Sequence, residues 1–150
     1  MISLEKTERQ ITNMGFEKDA IYFENIKFGF DNYNNEKIVL GEEEAFQFFK
    51  KKAFVTEKDS VYVDFYYGRL EEDARKIIDN QLTEEEKEYI QHTVNADEII
   101  YKADEIFLRI VTKLNAREIL FSTIYFTGKI EERSTWWGNY NQEYFVFREK

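Results

Sequence analysis

One histidine, thirty carboxylates and no cysteine bound the chemistry open to this chain of 150 residues. His92 follows Glu88 by four positions in a segment of helical pattern. The two side chains would share a helix face and could supply two metal ligands. The second histidine of a His-Glu-x-x-His site is missing, as is the Glu-x-x-His spacing of di-iron bundles. Carboxylates alone would have to complete the shell, which suits Mg2+ or Ca2+ better than zinc. The plainer reading is a solvent-facing histidine paired with Glu88; we adopt it and expect no metal or cofactor.

Nucleophilic and phosphate chemistry are no better provided for. None of the serines, Ser3, Ser60, Ser122 and Ser134, lies in a Gly-x-Ser-x-Gly turn. The six glycines, at 15, 29, 41, 68, 128 and 138, form no phosphate-cradling loop. Asp64 is the most suggestive carboxylate, because it interrupts the run Val61-Tyr62-Val63-Asp64-Phe65-Tyr66-Tyr67. An acid there could act as a general base, or it could face solvent between Tyr62 and Tyr66 on a one-sided strand. We take the second reading, and the chain is not expected to be an enzyme.

The placement of charge says more than its amount. Residues 71–105 hold twelve acids against four bases, a net −8 out of −9 for the whole chain. Singly, Glu84-Glu85-Glu86 and Asp97-Glu98 read as solvated helix starts. Together they exceed what solvation asks for, since the remaining segments balance their acids with lysines. A field so concentrated speeds association with a basic surface and repels nucleic-acid phosphates. A basic protein partner is therefore expected, and direct nucleic-acid binding is not.

The elements that must carry these residues follow from periodicity. Residues 3–14 are expected to form a short helix, with Leu4, Ile11 and Met14 buried. Ile26, Phe28 and Phe30 alternate with Lys27 and Gly29, which predicts a strand over 21–30. A loop at 31–35 and a return strand at Ile38-Val39-Leu40 follow. Residues 42–52 read as a helix, acidic at its start and basic at its end, docking through Ala45, Phe46 and Phe49. Val61–Tyr67 reads as a strand, and Leu70, Ala74, Ile77 and Ile78 as the buried stripe of a helix with Glu71–Arg75 and Glu72–Lys76 pairs. Thr83 and Glu86 form a capping box for a helix over 84–94. Asn95 is placed as the cap of a long helix from Asp97 to Leu114. Residues 118–126 are apolar on both faces, as a central strand would be. Thr135–Phe147 closes the chain as a hairpin. One of Trp136 and Trp137 should enter the core, leaving its neighbour to cover the sheet or, beside Tyr140, to anchor an interface.

Strands and helices mixed without strict βαβ alternation indicate a single α+β domain over 1–150, a mostly antiparallel sheet packed against helices. No apolar run approaches ~20 residues, so no membrane span is expected. The opening Met1–Lys6 turns polar at once, so no secretory leader is expected. With no cysteine, this suits a reducing, cytoplasmic setting.

The run Ile119–Phe126 followed by Thr135-Trp136-Trp137-Gly138-Asn139-Tyr140 resembles the closing strands of small bacterial immunity proteins, those paired with contact-dependent inhibition and other polymorphic toxins. The resemblance covers the last third of the chain. It implies an acidic cytoplasmic protein that binds a toxin or nuclease domain and occludes its active site or substrate surface. Glu84, Glu85, Glu86, Glu88, Asp97, Glu98, Asp104 and Glu105 would supply the field, some of them at the contact, with Trp137 and Tyr140 as aromatic anchors. Two alternatives stand beside it: a phage anti-defence protein that mimics nucleic acid, and a carboxylate-metal enzyme built on Asp64 or on Glu88 and His92.

Overall fold

A computed structural model describes residues 18–55 and 61–150. In chain order the main elements are α1 (Ile26–Asn32), β1 (Asn34–Val39), α2 (Glu42–Val55), β2 (Val61–Asp64), α3 (Glu72–Asp79) and α4 (Glu84–Thr93). They continue with β3 (Ile100–Lys102), α5 (Glu105–Ala116), β4 (Thr123–Phe126), β5 (Ser134–Gly138) and β6 (Glu143–Arg148). The strands form one antiparallel sheet in the order β1-β6-β5-β4-β2-β3, which makes the chain an α+β protein. The helix expected at 3–14 lies outside the described residues.

The sheet has two covered faces. Register aligns Val63, Ile124, Trp136 and Val146 across four strands, and these side chains meet α2 and α5. Phe49 of α2 touches the rings of Phe126, Trp136 and Tyr144 at 6.0, 5.2 and 5.3 Å. Ala45, Phe46 and Phe49 are buried as the spacing requires. The three glutamates that open α2 do more than offset its dipole. Glu42 takes a two-pronged bond from Arg117 (2.8 and 3.2 Å), and Glu43 binds Arg109 at 2.6 Å, tying α2 to α5.

The opposite face is crossed by residues 20–23. Thr135 Oγ1 donates to the Ile21 carbonyl, the rings of Tyr22 and Tyr125 lie 6.1 Å apart, and Phe23 stacks on Trp137 at 5.5 Å. This covering changes the reading of Asp64. Its side chain does not face solvent; the residue is 1% exposed, and it accepts the Thr123 N–H at 2.8 Å.

Several segments depart from the sequence expectations: the strand expected over Val61–Tyr67 ends at Asp64, and β1 begins at Asn34, inside the loop expected at 31–35. Residues 26–32 are helix rather than strand, because the Asn25 side chain caps the Lys27 N–H. Gly29 then lets α1 dock where a Cβ would lie 2.3 Å from the Phe23 ring, which leaves Phe28 and Phe30 exposed. The long helix expected from Asp97 is split. Ile100–Lys102 pair with β2 as an edge strand, and Asp104 caps the shorter α5 through the Phe107 N–H. Asn95 does cap, but it caps a turn, accepting from the Asp97 and Glu98 N–H groups. The strand expected at 118–126 begins only at Thr123, because Asn115 captures the Ser122 N–H at 2.8 Å. Ile77 is exposed, and Arg75 donates to the Tyr67 and Gly68 carbonyls in place of a Glu71 pair.

Candidate functional site

The acidic segment becomes a surface through α4 and the start of α5. Thr83 and Glu86 cap α4 reciprocally, with the Glu86 N–H on Thr83 Oγ1 at 3.1 Å and the Thr83 N–H on Glu86 Oε1 at 2.9 Å. The same Glu86 carboxylate accepts Lys113 Nζ at 2.5 Å, and both side chains are less than a tenth exposed. Burial raises Glu86, yet the bonds from Lys113 and Thr83 outweigh it and hold the carboxyl below its ordinary range. Glu86 therefore fixes α4 to α5 from inside, with its carboxylate buried and engaged by Thr83 and Lys113.

Tyr89 makes the second tie. Its hydroxyl donates to Asp104 Oδ1 at 2.9 Å, while Asp104 also caps α5. Burial, with the Asp104 carboxylate next, raises the Tyr89 hydroxyl well above its usual range. These two ties bring Glu85 of α4 and Glu105 of α5 to one cleft of 140 Å3, lined also by Phe46, Glu86, Ile106 and Arg109. Glu88, one turn beyond Glu85, shares its side of α4.

Ten of the twelve acids between 71 and 105 are exposed, all except Asp79 and Glu86. Glu84 pairs with Lys87 at 3.1 Å and Glu105 with Lys50 at 3.5 Å, both in solvent and both weak. Glu85, Glu88, Asp97 and Glu98 make no ion pair with a described residue. Asp97 and Glu98 sit beyond the C-terminal end of α4, where Arg69 donates to the Ala96 and Asp97 carbonyls. The eight carboxylates named from the sequence thus divide into a central exposed group, an outlying turn and the buried Glu86.

The aromatic candidates separate. Trp136 is buried, and Trp137 is half-buried in a second cluster with Ile21, Phe23 and Phe147, so it covers the sheet. Tyr140 is 44% exposed, its ring edge-on to Phe121 at 5.0 Å. His92 is exposed on α4 with no hydrogen bond to Glu88. Among the described residues no three His, Asp or Glu side chains converge as a metal site would require. No described helix is long and apolar enough to cross a membrane.

Sequence reasoning missed the Glu86–Lys113 pair. A signal for it exists: Lys113 stands three residues after Ile110 on the buried stripe of α5, where a lysine needs a partner. Of the left-handed residues in the β5–β6 turn, Asn141 is of a type that favours such a position, whereas Gln142 gave no signal.

Comparison of the chain with protein-family models, with curated proteins and with solved structures returned no match.

Proposed function

We propose that this chain is a cytoplasmic immunity protein, binding a basic toxin or nuclease domain and covering its working surface. The observation that carries the reading is the exposure of ten carboxylates within 35 consecutive residues, on a chain that is otherwise near neutral. Exposed like charges repel one another and weaken a fold, so their concentration serves something outside it. Glu85, Glu88, Asp104 and Glu105 form the centre of the contact, on helices whose mutual position is set by the Glu86–Lys113 and Tyr89–Asp104 bonds. A rigid acidic surface needs little reorganisation to meet basic groups arranged to bind phosphate.

The test is neutralisation. One equivalent of the purified chain, added to the purified basic toxin domain encoded beside its gene, should abolish that domain's activity. Full activity in the presence of a tenfold excess would remove the proposal.

A further inference from the structure

We propose that the β5–β6 turn, residues 139–142, is a pre-formed recognition loop that seats Tyr140 in the same basic partner, with Glu118 as its positioning residue. This rests on the protein-binding reading above. Among the described residues three that are not glycine have positive φ: Glu118 at 57°, Asn141 at 61° and Gln142 at 60°. Asparagine tolerates this region, but glutamine and glutamate rarely enter it.

The three positions are joined. Glu118 Oε2 accepts the Asn141 N–H at 2.8 Å. Glu118 occupies the left-handed position at the end of α5, where its own N–H reaches the Asn115 carbonyl and that of Ile119 reaches Leu114. On the other flank the Gln142 carbonyl accepts the Leu40 N–H, and the Asn139 N–H bonds the Glu143 carbonyl, each at 2.9 Å. Beneath the turn, Gly138 leaves room for Asn115, whose Cγ would lie 2.7 Å from a Cβ there. A conformation this unfavourable persists only where its surroundings over-determine it, and such sites gather where a side chain must be presented in one way.

That side chain is Tyr140. One edge of its ring rests on Phe121, and the residue is 44% exposed. The loop reads Asn-Tyr-Asn-Gln, a stiff aromatic among adaptable amides, the composition of protein-recognising loops. A hydrogen-bond path joins the base of the turn to the start of α4. Arg117, beside Glu118, donates to Gln81 Oε1 at 3.1 Å, and Gln81 stands two residues before the Thr83 cap of α4. A partner seated on the carboxylates of α4 that reaches across Gln81 and Arg117 would meet the turn, and an arginine or lysine there would find the Tyr140 ring.

Binding kinetics with the purified basic toxin domain encoded beside the gene separate the two contributions. Tyr140→Ala should raise the dissociation rate about tenfold or more and leave association unchanged. Glu118→Ala should give a smaller rise that Glu118→Gln, which keeps an acceptor for Asn141, restores. Asn141→Gly with Gln142→Gly keeps the ring but frees the turn, and should also speed dissociation, so the inference does not hang on one variant. Glu85→Lys with Glu88→Lys should slow association instead. Wild-type dissociation in all the turn variants, with slowed association in the charge reversal, overturns the recognition loop and leaves the protein-binding reading intact. Absence of binding by the wild-type chain overturns both.

Discussion

Lys113 Nζ stands 2.5 Å from Glu86 Oε1, with 9% of one side chain and 6% of the other exposed, in a contact that spans 27 residues of sequence. A carboxylate used in a capping box is thereby made the internal joint between α4 and α5. Removing one partner leaves the other charge buried and uncompensated. Lys113→Met should destabilise the chain by about 3 kcal/mol, read by urea denaturation at neutral pH. A loss below about 1 kcal/mol would show that the joint is solvated.

The pH dependence of the same joint has a definite sign. Glu86 is held below its ordinary range in the folded chain, so its contribution is complete above the unfolded carboxyl value of about 4.3 and is lost as pH falls through the folded value. In the wild type, the stability supplied by this group should be flat from about pH 5 to 8 and decline only below about pH 4.3. Lys113→Met removes one of the bonds that depress Glu86, so its acid transition, followed by circular dichroism, should begin at higher pH.

Much of this arrangement was legible because it is local. Thr83 and Glu86 sit at capping-box spacing, and Ala45, Phe46 and Phe49 mark the buried face of α2, whatever the rest of the chain does. Where the reading failed, a distant residue decided. Alternation at Ile26, Phe28 and Phe30 suits a strand, but Gly29 fits against Phe23 as a helix. Asp64 looks exposed between Tyr62 and Tyr66 until residues 20–23 close over that side of the sheet. The acidic segment was plain from the sequence, yet whether Glu86 belonged to its surface depended on Lys113.

Asp64 accepts the Thr123 N–H from within the buried sheet, so its removal should be felt in stability. Asp64→Ala strands a buried N–H and should cost about 2 kcal/mol, while Asp64→Asn, which keeps an acceptor, should cost less. Thermal melts of the two variants give the comparison. An Asp64→Ala protein of wild-type stability would show that the Thr123 N–H finds another acceptor.

Several tyrosines should resist alkali. Burial first, then the Asp64 carboxylate, pushes the Tyr125 hydroxyl well above its usual value, and burial pushes Tyr67 and Tyr144 up to about 12. A raised value means stability present below about pH 10 and lost as pH climbs toward the folded value. Absorbance at alkaline pH should therefore show Tyr67, Tyr125 and Tyr144 ionising late, together with unfolding.

The left-handed turn residues should be a measurable burden on the fold. Gln142→Gly supplies the residue that its φ of 60° favours and should stabilise the chain by about 1 kcal/mol. A rise in melting temperature confirms the strain; a fall shows that the glutamine side chain contributes more than its backbone loses.

The most direct measurement is the association rate with the basic toxin domain proposed as the partner, followed from about 0.05 to 0.5 M salt. For the wild type the rate should fall at least about tenfold over that range. For Glu85→Lys with Glu88→Lys, correctly folded by circular dichroism, it should start lower and change little. Equal rates and equal salt dependence in the two proteins would contradict an acidic docking surface on α4 and α5.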